Sequence, residues 1–302
     1  MMDNPRNPNP SAPDQWARGG LCMRRPLSSR NRLFYYLSKA VRQSVRYADW
    51  YLGGKRYALE RQAEPLPFRV YKHQSVLVRR LGDADLQLQY NKVVNLGLAL
   101  THLEGILIRP GETFSFWRLV GRASKSRGYL PGMLLLNGEG RAGVGGGLCQ
   151  IANLIHWLAL HSPLVVSEHH HHSFDPFPDS GRVLPFGSGA TLYYNYLDYQ
   201  LYNPTQSTFQ LRFWMDSKCL NGDLRADVPQ PVRYHVYEKN HAFLRIDGRF
   251  YRTNEIWRSQ RPVMGGEGSH ALLRRNFSKV LYTPQHFEAV PPEDWGRYPA
   301  EG

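Results

Sequence analysis

The stretch Gly145-Gly146-Gly147-Leu148-Cys149-Gln150 sets a thiol directly behind three residues that have no Cβ. Glycine takes positive φ at no steric cost and lets main chain approach a ligand closely. From Leu148 onward the pattern is helical. Leu148, Ile151, Leu154, Ile155, Leu158 and Ala159 fall at the offsets of one buried face, and Ser162-Pro163 closes the run. Cys149 therefore falls in the first helical turn. Unpaired N–H groups and partial positive charge at a helix N-terminus lower a thiol pKa, and the same donors can hold an oxyanion. Cys149 is the candidate nucleophile, with Gly145, Gly146, Gly147 and Gln150 as candidate oxyanion and loop residues. A cysteine ahead of an apolar helix also serves as a small buried hydrophobe. The three bare residues shift the reading toward chemistry.

The second chemical cluster is His169-His170-His171-His172. Side chains alternate faces along a strand, so at most two of these rings share a site, and His170 and His172 form one such pair. An imidazole can take a thiol proton and return it to a leaving amine. Cys149 and these histidines are also donor types suited to zinc, but adjacent ligands lack the spacing that puts them on one side. No metal or other cofactor is expected.

The surrounding pattern predicts an α+β fold, a mainly antiparallel sheet packed with the central Cys-bearing helix. Four regions are expected: a mobile segment 1–30, a basic amphipathic helical region 31–64, a main domain 65–217 and a β-rich extension 218–302. The helix over 31–50 carries Leu33, Leu37, Val41, Val45 and Ala48 on one face, with Arg32, Lys39, Arg42 and Arg46 on others. Such a helix can lie on an anionic membrane; packing on the domain with its basic face in water is the favoured reading. Further helix is expected over 90–103, and strand over 68–80, 106–108, 164–168, 190–202 and 209–214, while 112–117 reads as aromatic-rich strand or loop. Asn137-Gly138 marks a hairpin turn before the glycine loop, and Asp247-Gly248 another within a meander over 232–257. The polar stretch 221–230 reads as a linker, and the Pro-rich tail from Pro284 as extended.

Of the 302 residues, 38 are Lys or Arg and 25 Asp or Glu, a formal charge of +13 that attracts polyanions. Zinc-knuckle, RNP-like and helix-turn-helix patterns are absent, so nucleic acid is not an expected partner. Three scattered cysteines, Cys22, Cys149 and Cys219, suggest a reducing compartment and no disulfide framework. With no spanning apolar run and no signal-peptide pattern at the N-terminus, the expected location is cytoplasmic, with peripheral contact at the inner membrane face.

The glycine-cysteine motif resembles the signature of VanW-type proteins, known from vancomycin-resistance gene clusters. Four further stretches resemble that family in order: Pro110-Gly111-Glu112-Thr113-Phe114-Ser115-Phe116, then Gly128-Tyr129, then Glu168-His169-His170-His171-His172-Ser173, then Tyr202-Asn203-Pro204-Thr205. The resemblance implies a bacterial cell-wall substrate, peptidoglycan peptide or a precursor, and an L,D-transpeptidase-like acyl transfer from Cys149. It selects His172, just before Ser173, as the catalytic imidazole, with His170 beside it. Many members carry Asp where this chain has Gly189, so Asp175, Asp179 or a backbone carbonyl is left to orient the ring. Arg141, Arg127 and Lys125 are the candidate binders of substrate carboxylates. The alternative is a non-catalytic protein that binds a cell-wall precursor or a partner; a Cys/His metal site ranks below both.

Overall fold

The computed structural model describes residues 32–78, 86–136, 139–171, 174–175, 178 and 184–299. The order is α1 (Arg32–Leu52), β1 (Arg56–Tyr57), β2 (Phe68–Val76), α2 (Leu86–Leu103), β3 (Ile106–Ile108), β4 (Glu112–Ser115) and α3 (Phe116–Val120). The hairpin β5 (Pro131–Leu136) and β6 (Glu139–Val144) follows, then α4 (Cys149–Leu160), β7 (Val165–Glu168), β8 (Phe174–Asp175) and β9 (Gln200–Tyr202). The last strands are β10 (Phe209–Met215), β11 (Cys219–Ala226), β12 (Val232–Ile246), β13 (Arg249–Pro262), β14 (Ser269–Val280) and β15 (Glu288–Ala289). The fold is α+β, as the pattern predicted. Residues 1–30 and the Asn137-Gly138 turn lie outside the described residues.

The main sheet, in the order β2-β11-β10-β3, is antiparallel throughout. Helix α4 lies against it, burying Ile151, Leu154, Ile155 and Leu158 in the principal core. A Cβ on Gly222 of β11 would stand 2.8 Å from Leu154 and 3.1 Å from Leu158, so glycine is what lets helix and strand close up. A second sheet, β1-β4-β9-β7, leads the chain into the histidine run. The long β12-β13-β14 meander forms a third, bordered by β15 and by β8, each pairing in parallel. Its first turn is Asp247-Gly248, at φ 47° and 72°, the left-handed pair that matches strand twist.

Four expectations need correction. The stretch 221–230 is no linker, because β11 pairs with both β2 and β10. Leu220, Gly222, Leu224 and Ala226 alternate into the core, while Asp223 Oδ2 accepts from Arg69 and Arg225, so polar composition concealed a period of two. The expected strand over 190–202 is extended only from Gln200. Before it Tyr193 and Leu197 exchange main-chain hydrogen bonds around Asn195, which takes φ 55°, a left-handed value that Asn tolerates. Residues Phe116–Val120 wind into a short helix capped by the Ser115 hydroxyl, which accepts from Arg118 N. The tail is not simply extended: Trp295 and Tyr298 fold back onto the cluster of Leu244, Ile246 and Tyr251.

Helix α1 forms as expected but packs the opposite way round. Arg46 makes a two-pronged ion pair with Glu168 at 2.5 and 2.6 Å. Arg42 stacks over the Tyr196 ring at 4.5 Å. The basic side faces the protein, and Leu37, Val41 and Val45 face outward. Guanidinium groups find a carboxylate and aromatic faces here that water would not supply.

Candidate functional site

Cys149 stands at the start of α4, with Asn153 and His156 four and seven residues on, a single polar stripe on an otherwise apolar helix. That stripe lies along the segment 189–192. Ala190 N donates to Asn153 Oδ1 at 2.6 Å, and the main-chain amides of Leu192 and of Cys149 itself act to lower the thiol pKa. His156 stacks on His169 with ring centres 4.1 Å apart, and His169 Nε2 lies 2.8 Å from the Gly189 carbonyl oxygen, to which it donates. His156 Nδ1 meets the Tyr199 hydroxyl at 3.0 Å.

Electrostatics differ from the sequence expectation. Burial pushes the Cys149 thiol up, and the two main-chain donors only partly offset it. The sulfur is therefore a neutral thiol at pH 7, not the preformed thiolate that a helix N-terminus suggested. Desolvation outweighs the partial charge of one helix end. His169 is lowered to about 4 by burial, against the Gly189 carbonyl, with Arg274 and His170 adding to the drop. His156 is lowered well below the ordinary imidazole range by burial, then by His169 and Arg274. Both rings are unprotonated at neutral pH.

The histidine run lies past the end of β7, and its described rings part company. His169 turns inward to α4. His170 Nε2 lies 3.1 Å from Glu168 Oε1 on the other side. His171 is exposed against the guanidinium of Arg274, which also reaches His169 at 3.4 Å. His172, with Ser173 and Asp179, lies outside the described residues. Burial would raise Glu168, but hydrogen bonds from Arg46, the Asp198 amide and His170 hold it low. Asp198 is fully buried and raised by desolvation; it accepts from the Ser115 hydroxyl at 2.5 Å, Trp117 N at 3.0 Å and Gln200 Nε2 at 3.1 Å. It ties β4, α3 and β9 together beneath the site.

The remaining candidates have other partners. Gly145 N donates to Leu130 O and Gly146 N to Gly143 O, so these two amides do not face an oxyanion. The glycines are needed for close packing. A Cβ at Gly146 would come within 2.2 Å of the Gly132 main chain, and one at Gly147 within 2.1 Å of the Lys92 stem. Gln150 Nε2 bonds Ser75 and the Val76 carbonyl, tying α4 to the end of β2. Arg127 is committed to the carbonyls of Val120 and Arg122. Arg141 and Lys125 are exposed. Asp175 forms a buried ion pair with Arg252 at 3.0 Å and accepts from Tyr282 at 3.1 Å. Among the described residues no three His, Cys, Asp or Glu side chains gather as a metal site. No described helix is long and apolar enough to cross a membrane.

Gly146→Ala should destabilise the fold by about 3 kcal/mol in urea melts, since main chain must move to admit the methyl group. Gly189→Ala should change it by less than about 0.5 kcal/mol. A Cβ at 189 meets only Asn153 Oδ1, at an ordinary 3.6 Å. A side chain there would join the polar stripe.

Sequence reasoning missed Asn153, His156 and Asp198, and did not single out His169, the described ring of the run that meets the helix. The i, i+4, i+7 placement of Cys149, Asn153 and His156 was a legible signal. Nothing local marked Asp198, which acts through residues about eighty positions away.

The model of a family described as "VanW like protein" matches residues 91–225. The chain is 32% identical over 260 residues, covering 86% of it and 94% of the relative, to the Vancomycin B-type resistance protein VanW of Enterococcus faecalis. It is 26% identical over 118 residues, 39% of it and 37% of the relative, to the uncharacterized protein YoaR of Bacillus subtilis. No solved structure matches it.

Proposed function

The chain belongs to the VanW family, and on that premise we propose that it acts in vancomycin resistance as a cysteine-dependent acyltransferase of L,D-transpeptidase type. Its substrate is peptidoglycan peptide or a precursor of it. The observation that carries this reading is the polar stripe Cys149-Asn153-His156, which sets a thiol and an imidazole on one face of α4, with His169 stacked on that imidazole.

Sγ of Cys149 attacks a peptide carbonyl carbon and expels an amine, leaving a thioester. A second amine then attacks the thioester and restores the thiol. Because burial holds the thiol neutral, its proton leaves at the moment of attack and goes to an imidazole. Burial makes His156 and His169 weak bases, and seven residues of helical rise, about 10 Å, separate His156 from Cys149, so the acceptor in this reading comes from the rest of the histidine run. His172 keeps the role that kinship gives it, with His170 positioned by Glu168. The main-chain amide of Leu192, which acts to lower the thiol pKa, supports the anion as it forms.

A non-catalytic role in binding a cell-wall precursor is the second reading. The raised thiol pKa and the engaged amides of Gly145 and Gly146 favour it. Incubation with a peptidoglycan tetrapeptide and mass spectrometry of the intact protein separates the two. The acyl-transfer reading expects an adduct on Cys149, and a loss of about 10³-fold or more in transfer on Cys149→Ala. Resistance that survives Cys149→Ala, with no adduct trapped, leaves the binding reading. Under either reading iodoacetamide should alkylate Cys149 more slowly than it does glutathione at every pH below about 8.5. A rate plateau extending down to pH 6 would instead show a stabilised thiolate.

A further inference from the structure

Helix α1 presents its apolar side to solvent. Phe34, Leu37, Val41, Val45 and Leu52 recur at helical spacing on one face, with Leu37 58%, Val41 55%, Val45 64% and Leu52 83% exposed. Tyr51 borders this face and is 70% exposed. The opposite side is firmly held: Arg46 pairs with Glu168, the Tyr47 hydroxyl meets that of Tyr194 at 3.0 Å, and Trp50 is buried. Exposure is therefore a consequence of how the helix docks, and a contiguous apolar strip of this length marks an interaction surface.

We propose that this face is an interfacial helix that lies on an anionic lipid bilayer. Charge identifies the occupant. Between Gln15 and Ala48 the sequence holds eight Lys or Arg and no Asp or Glu; Lys39, Arg42 and Arg46 turn to the protein, and the other five fall between Arg18 and Arg32, ahead of the apolar strip in the sequence. Apolar groups entering the acyl boundary, a tyrosine at headgroup depth and a basic approach segment are the combination that binds anionic membranes. A second copy fits less well. Each copy carries a formal charge of +13, so like charge opposes a seam between two copies. Through Arg46, Glu168 and His170, the docked side of the same helix reaches the histidine run, so the candidate site is carried at the bilayer surface. This placement stands independently of the acyl-transfer reading.

The test is co-sedimentation of the full chain with vesicles of phosphatidylcholine alone, and of phosphatidylcholine mixed with phosphatidylglycerol. The expected result is binding to the mixed vesicles, weaker in high salt, and reduced at least about tenfold by Val41→Glu combined with Val45→Glu. Leu52→Glu should reduce it in the same direction. All three positions are exposed, so circular dichroism and thermal midpoint should be unchanged, and loss of binding is then loss of the surface. No binding to anionic vesicles overturns the proposal. So does binding that the glutamate variants leave intact, which would put it on the arginines alone. A dimer in light scattering that the same variants convert to monomer would make the strip a seam between copies.

Discussion

Arg252→Leu is expected to lower the unfolding free energy by about 3–5 kcal/mol, because it strands the Asp175 carboxylate in the protein interior. The two side chains are 4% and 2% exposed, with Nη1 and Oδ2 3.0 Å apart. Arg252 also donates from Nε to His241 and lies over the rings of Phe186 and Phe243 at 4.6 and 4.9 Å. A buried pair gives little net stability over apolar residues of the same shape, yet removing one partner leaves a buried charge without its ion-pair partner. The midpoint of thermal unfolding should fall by about 10 °C. Adding Asp175→Asn should recover more than half of the loss. If the double variant is no more stable than Arg252→Leu alone, the cost lies in lost packing around Arg252 and not in the stranded carboxylate.

Acid should unfold the protein well above the pH at which its carboxylates titrate. His161 and His169 are each lowered to about 4, both chiefly by burial. His156 is lowered further, again by burial. A group whose folded pKa is depressed lends its full stability above the unfolded value, near ~6.5 for imidazole, and loses it as pH falls toward the folded one. Between pH 7 and 4.5 the unfolded chain takes up protons that the folded chain refuses, at about 2 kcal/mol for each of these rings. Asp198, raised by burial, acts in the opposite direction but binds only one proton. Urea melts at steps from pH 7 to 4.5 should show stability falling with a slope of two to three protons. His161→Asn keeps a donor for the Trp157 carbonyl, 2.9 Å from Nδ1 in the native ring, and should flatten the slope by about one proton. A slope unchanged by that substitution would place the acid sensitivity elsewhere.

Apart from His169, these two effects arise from residues whose partners no motif marked. Asp175 sits in a proline-rich stretch and read as a loop carboxylate available to a histidine. Pairing of Phe174–Asp175 with β14 delivered it to Arg252, 77 positions along the chain. His156 and His161 stand in and beside an apolar helix, and burial lowers both rings.

Much else was legible. The period of 3.6 fixed α4 and the amphipathic character of α1, alternation marked β2 and β10, and Asp247-Gly248 placed the hairpin turn where it stands. The ordered motifs from Pro110 to Thr205 identified the family. Periodicity and turn chemistry are local properties, so a linear sequence carries them directly. Which face of α1 meets the protein depends on Glu168 and Tyr196, more than 120 positions away, and the hydrophobic pattern alone pointed to the opposite face. The charge state of Cys149 was likewise settled by the density of atoms around its sulfur, which outweighs the helix end that the sequence put beside it. Desolvation and long-range ion pairing act through space, and only the tertiary structure supplies that space.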